Sequence, residues 1–370
     1  MVRPRGVRRY SRAVTPTPVD RRGARLRILS ARSLESGALV VGAIAFALTA
    51  IVALVVFQLQ PAPIAGRGSL GQFAAIAGAV VAVLAFILGR YVVRPSGRRL
   101  RVLDIVDIAA LAFAHGVIAL LTWTLFAVIM EHGFLDAVVF GLSVVVLASA
   151  AAAATAYIAF YSSTHMDLQL LAVVLAAFLV QGVLASMLTA SDPHWWQENL
   201  SALGMNDDIS SLAFNLTLIV AGIMVTTLAR FATLGIPTSN PHGIRNVRLT
   251  IVLVGLFLGG VGVFPVDQFA VLHTGIASGM VVVFGVLVIL LPRWIPGMPH
   301  AFIMLGWLFL AVTVSLGILF AVGYYTLTAV ELVAGILVFV WIVLFIRAAS
   351  ALRQDSAPSP DGGLADSRPG

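Results

Sequence analysis

The sequence contains no cysteine and no lysine, and only 11% of its residues are charged. Without cysteine there can be no disulfide and no thiolate metal site. A soluble globular chain is nearer a quarter charged. With 60% hydrophobic residues, these 370 residues lack the polar surface needed to cover a water-facing core. For most of the surface, the solvent has to be lipid. The lipid setting, and not thiol usage, then decides the compartment. All 23 basic residues are arginines, and the chain is rich in Ala, Val and Gly, a composition expected of a GC-rich bacterial genome.

The net charge of +7 raises the question of nucleic acid, but ten of the 23 arginines fall in residues 1–35, before the first apolar run. Such a tail is expected at the anionic cytoplasmic face of a bilayer. It lacks interleaved aromatics apart from Tyr10, so no nucleic-acid partner is expected. Arg8-Arg9 resembles a twin-arginine start. However, Ala38–Phe57 is long enough to cross a hydrocarbon core of about 30 Å. The Gln58-Leu-Gln-Pro61 that follows is not a small-residue cleavage site, so the run is expected to stay as a first span.

Ten apolar runs can be delimited: Ala38–Phe57, Leu70–Leu88, Ile108–Met130, Ala137–Phe160, Leu168–Leu188, Ile209–Ala229, Leu249–Phe264, Leu272–Leu291, Ala301–Val322 and Leu327–Ile346. The expected fold class is therefore all-α, a polytopic transmembrane helical bundle. Placing the N-terminus inside makes 1–37, 89–107, 161–167, 230–248, 292–300 and 347–370 the inner segments. These hold 22 of the 23 arginines and leave only Arg67 outside. A missed or invented span would scramble that split, so both termini are expected in the cytoplasm of a bacterial plasma membrane. Most turns are short, and the longest outer loop is 189–208. The tail from Gln354 is rich in Pro, Ser, Gly and Asp and is expected to be disordered.

The acidic residues Asp192, Glu198, Asp207, Asp208 and Asp267 fall on the outer side, where solvation of loops is the plain reading. Span seven holds only 16 apolar residues, about 24 Å of helix. This predicts a thinned bilayer or a turn at Pro265–Gln268 that dips below the headgroups, where only protein or a wet cavity can cover it. Asp267 would then be a shielded carboxylate, paired with His273 just inside the next helix. Asn215 in span six needs a partner, most simply on another helix. Glu198, Ser201, Asn215, Asp267 and His273 together form the candidate pocket.

Asp267, His273, Glu198 and His194 are residue types that suit Zn²⁺, but they match no ligand spacing such as His-Glu-x-x-His. No metal and no cofactor is therefore expected. Ser201 has a histidine and carboxylates within the same set but no Gly-x-Ser-x-Gly elbow. Trp195-Trp196 is an interfacial anchor or, alternatively, a lid. His115 and Glu331 are ionisable residues in or at the edge of spans, and so are functional candidates. Asp104 and Asp107 are expected to pair with Arg98, Arg99 and Arg101.

Glu198-Asn-Leu-Ser-Ala-Leu-Gly204, Phe214-Asn215, Ala221-Gly222, Gly262-Val-Phe-Pro-Val-Asp267 and Leu272-His273 resemble the motifs of a six-span bacterial membrane family, domain of unknown function 998. In that family a Ser-x-Leu-Gly loop follows the first helix, Phe-Asn lies in the second, and Phe-Pro-x-Asp then His lies between the third and fourth. The resemblance covers Leu168–Ile346, and spans one to four lie outside it. One departure is Glu331-Leu332, where the family has an acidic or amide residue followed by Arg, so no role of that Arg carries over. The resemblance implies two membrane units, 36–161 and 168–347, between the tails 1–35 and 348–370. It implies no reaction.

Three functions remain open. The leading one is binding or sensing of a lipid or small amphiphile in an outward-facing polar pocket. The others are a membrane-embedded hydrolase acting on lipid head groups and a transporter. The transporter reading lacks helices broken near the midplane.

Overall fold

The computed structural model describes residues 31–94, 101–134, 137–206, 208–233, 236 and 240–355. The tail before residue 31, Arg98, Arg99, Asp207 and the segment after residue 355 lie outside the described residues. Ten helices follow one another: α1 (Ala31–Phe57), α2 (Leu70–Val92), α3 (Val102–Gly133), α4 (Gly141–Thr164), α5 (Leu168–Thr189), α6 (Ile209–Ala232), α7 (Pro241–Val263), α8 (Val266–Trp294), α9 (His300–Ala321) and α10 (Leu327–Asp355). Each is long and apolar enough to cross a membrane. Two short strands, β1 (Ala62–Pro63) and β2 (Val138–Val139), pair antiparallel beside the bundle.

Local chemistry sets several helix starts. Ser69 accepts the Gln72 N–H at 3.0 Å before α2, and Asp167 accepts the Leu170 N–H at 2.8 Å before α5. Asp208 and Ser211 form a reciprocal capping box at α6. Asn240 caps α7, with Pro241 at the first helical position. Each side chain satisfies a backbone donor that a helix end leaves unpaired.

The outer surface of the bundle is apolar. Val173, Val180 and Leu188 of α5 and Met304 and Leu308 of α9 point outward, Leu188 with 80% of its surface accessible. In water this would be a severe aggregation hazard, but in a bilayer it is the expected exterior. Because lipid is as apolar as leucine, helices associate by close packing and not by hydrophobic burial. An added Cβ on Gly222 would lie 2.5 Å from the carbonyl oxygen of Gly255, so α6 and α7 touch backbone to backbone. In the first four helices the buried seam is mostly alanine, with Ala38, Ala45, Ala82, Ala85, Ala156 and Ala159 around Phe160. At the other side of the bundle, Trp341 stacks on Phe345 with ring centroids 5.6 Å apart. It also meets Phe284 of α8 and Phe302 of α9.

The seventh helix is longer than its apolar run. α7 has 23 residues, because its first turns carry Arg245 and Arg248 ahead of the apolar stretch. α8 starts directly after the turn at Phe264–Pro265, with Phe269 out of helical conformation at φ −132° and ψ 44°.

Asp107 of α3 forms an ion pair with Arg230 of α6 and accepts the Thr227 hydroxyl at 2.6 Å. The carboxylate of Asp104 accepts the Arg101 backbone N–H at 3.1 Å. Ala110, Leu111, Ala112 and Ala114 of α3 share one buried cluster with α5 and α6. The first four helices are thus joined to the rest by both packing and charge.

Candidate functional site

The loop between α5 and α6 folds into two short 3₁₀ turns, Trp195–Gln197 and Leu200–Gly204. Residues far along the chain hold it in place. The Thr328 hydroxyl donates to the Trp196 carbonyl at 2.8 Å. Glu331 accepts the Leu200 N–H at 2.6 Å, and its carboxylate also faces the Ser201 N–H. A carboxylate at the start of a helical turn meets donors that have no other partner. Trp195 packs on the cluster of Leu203, Phe214 and Leu218, while Trp196 stays half exposed.

Ser201 and His273 are brought together. Both are buried, at 9% and 5% exposure. His273 Nδ1 lies 2.7 Å from the Phe264 carbonyl oxygen. Since only an N–H can face a carbonyl, Nε2 is the acceptor, and the Ser201 hydroxyl donates to it across 3.0 Å. With both ring nitrogens taken, the expected Asp267–His273 pair does not form, and Asp267 lies exposed in the first turn of α8. The break at Phe269 separates Asp267 from the buried face that carries His273.

Asn215 is half-buried and donates to the Gly204 carbonyl at 3.0 Å, so it reaches the loop and not another helix. A side chain at Gly204 would lie 2.5 Å from Asn215 Oδ1, which explains a glycine there. Glu198 is exposed and does not join the others. Among the described residues no group of three or more His, Asp and Glu converges in a way that could hold a metal.

Beside these residues lies a cleft of about 430 Å³ between the 3₁₀ turn, α6 and the α7–α8 corner. Its polar end presents Asn206, Asp208, Ser211, Asn215 and Gln268. Its apolar end presents Leu212, Leu216 and Ile219, which descend one face of α6. Ser201 and His273 form the buried support behind the Gly204 wall and do not line the cleft. Hydrogen bonds from the Ser191 hydroxyl, then from the Ser211 N–H, hold the Asp208 carboxyl below the usual range. Asn206, Asp208, Ser211 and Gln268 line the cleft without standing out in the sequence as pocket residues. The capping box Asp208-x-x-Ser211 marked a helix start, and nothing local marked a cleft.

His115 is also buried. Its Nδ1 lies 2.8 Å from the Leu111 carbonyl oxygen, and its Nε2 lies 2.9 Å from Ser162 Oγ. Phe86 packs over the ring at 4.5 Å.

Ten apolar helices with lipid-facing exteriors and short connections make this chain a polytopic integral membrane protein. No family model, curated protein or solved structure matches it.

Proposed function

We propose that the protein binds a lipid or small amphiphile in the cleft between residues 200–204, α6 and the α7–α8 corner. The observation that carries this reading is the two-sided lining that α6 gives the cleft. Asp208, Ser211 and Asn215 form one stripe of the helix, and Leu212, Leu216 and Ile219 form the next. An amphiphile has the same two characters. The cleft's volume suits a ligand of small-molecule size. Among the described residues its lining holds one carboxylate and no basic residue, which favours an uncharged or cationic head group over an anionic one. The 22-to-1 distribution of arginine supports an outward-facing cleft in a bacterial plasma membrane, with both tails cytoplasmic. The resemblance of residues 168–346 to the domain of unknown function 998 supports treating this half as the binding unit.

The test uses purified full-length protein in detergent and a fluorescent lysophosphatidylcholine as probe. Saturable binding is expected, weakened at least tenfold by Leu216→Trp, which fills the apolar end, and several-fold by Asn215→Ala. Equal binding by the parent and both variants rejects the cleft.

One geometric feature favours a second reading, a hydrolase acting on lipid head groups. The Ser201 hydroxyl donates to a histidine whose far nitrogen is fixed by a carbonyl, the arrangement of an activated nucleophile. Covalent labelling by a fluorophosphonate, abolished in Ser201→Ala, would support it. Absence of labelling leaves the pair as a support for the cleft wall.

A further inference from the structure

A second cavity, of about 720 Å³, lies in the first four helices, well away from the cleft beside α6. Its origin is geometric. α3 and α4 each pack along α2 but scarcely touch each other, so a wedge stays open between them. Gly71 and Ala74 of α2 form the floor, and Trp123 and Phe126 of α3 face Leu147 and Ala150 of α4 across the gap. The β1–β2 pair closes the end that lies on the same side of the bundle as the loop 189–208.

The walls offer almost nothing polar. The one indole N–H, from Trp123, is already donated to Thr155 Oγ1 at 2.8 Å. Among the described lining residues Ser143 is the only one with a hydroxyl. Water has too few partners in such a space to be held there. Hydrocarbon from the surrounding bilayer meets no penalty.

Charges of both signs stand close to the lining in sequence, Glu131 beside Met130 and Arg67 before α2. Arg67, the single arginine on this side, stands three residues from both Ile64 and Leu70, which line the cavity. Its side chain is exposed. It is flanked by Gly66 and Gly68, both left-handed at φ 89° and 71°, a turn that a residue with a Cβ would strain. The Gly68 N–H donates to Gln72 Oε1 at 2.8 Å, tying the turn to α2. A guanidinium held on a turn between two lining residues can meet the phosphate of a molecule whose chain enters the slot.

We propose that the wedge between α3 and α4 is a binding site for one glycerophospholipid, with an acyl chain in the cavity and the phosphate on Arg67. The site is independent of the cleft beside α6. A lipid held this way fills the gap that the two helices leave and fastens the β1–β2 pair to the membrane surface.

The experiment is native mass spectrometry of the full-length, delipidated protein. It is titrated separately with 1-palmitoyl-2-oleoyl-phosphatidylethanolamine, with a diacylglycerol carrying the same chains, and with inorganic phosphate. One saturable phospholipid equivalent is expected, with no retention of inorganic phosphate. Ala150→Phe, whose new ring enters the open space, should weaken phospholipid and diacylglycerol at least tenfold. If that variant does not fold, Leu147→Trp serves the same purpose. Arg67→Gln should weaken the phospholipid several-fold and leave the diacylglycerol unchanged. Leu216→Trp, in the other half, should leave this equivalent in place. No saturable equivalent, or one indifferent to the cavity-filling variants, overturns the site. An Arg67→Gln variant that loses no phospholipid affinity overturns the headgroup contact.

Discussion

Ser201 and His273 lie 72 residues apart in sequence and are joined by a 3.0 Å hydrogen bond in the interior. Removing the hydroxyl leaves a buried nitrogen without its donor. Ser201→Ala should therefore destabilise the detergent-solubilised protein by about 1–3 kcal/mol. In a thermal melt, the double variant with His273→Ala should cost less than the sum of the single changes. Strict additivity would show that the contact contributes nothing.

Asp267→Asn provides the contrast. The carboxylate is exposed and is not the histidine's partner. Its change should cost less than about 1 kcal/mol, the scale of a helix-dipole effect. A loss as large as that of Ser201→Ala would mean that the two acidic and basic side chains interact after all.

Glu331 accepts a backbone donor, and any well-placed oxygen can do that. Glu331→Gln should keep the loop 189–208 as resistant to limited proteolysis as the parent. Glu331→Ala should raise the cleavage rate several-fold. Equal resistance in both variants would show that α10 does not hold the loop.

The depressed Asp208 carboxyl makes a pH prediction. Its folded pKa lies below the unfolded value of about 3.9. Its contribution is therefore complete above that value and is lost as pH falls through the lower, folded pKa. The melting-temperature advantage of the parent over Ser191→Ala, which removes the main cause of the shift, should be constant from pH 7 to 5. Below about pH 4 it should shrink. An advantage that grows on acidification would reverse the assignment.

Asp107 and Arg230 join α3 to α6 with side chains 16% and 33% exposed. Asp107→Ala should cost about 2–4 kcal/mol, mostly from the arginine left behind. Arg230→Met in the same chain should recover part of that loss. No recovery would place the cost in packing and not in charge.

The number and order of the helices could be read from the apolar runs, because twenty lipid-facing residues leave an unambiguous record. The length of α7 could not. Arg245 and Arg248 lie in its first turns, and hydropathy stops where charge begins although the hydrogen-bond ladder continues. Ser201 and His273 were in the candidate set, but His273 was matched with the nearest acidic residue in sequence. The break at Phe269 turns that neighbour outward. Glu331 stood out as an ionisable residue at a membrane edge, yet nothing local pointed to Leu200, 131 residues earlier. Asp107 likewise has a partner on another helix, Arg230, that no local spacing marks.

The clasp between Leu200 and Glu331 also has an order in time. At 5–20 residues per second of synthesis, the 131 residues between them take on the order of ten seconds to emerge. For that interval the loop has been made while its acceptor has yet to be translated. Thr328, which holds Trp196, arrives at nearly the same late moment. The loop before α6 is thus fastened last, by the final helix. A chain that stops before residue 327 would lack both of these ties.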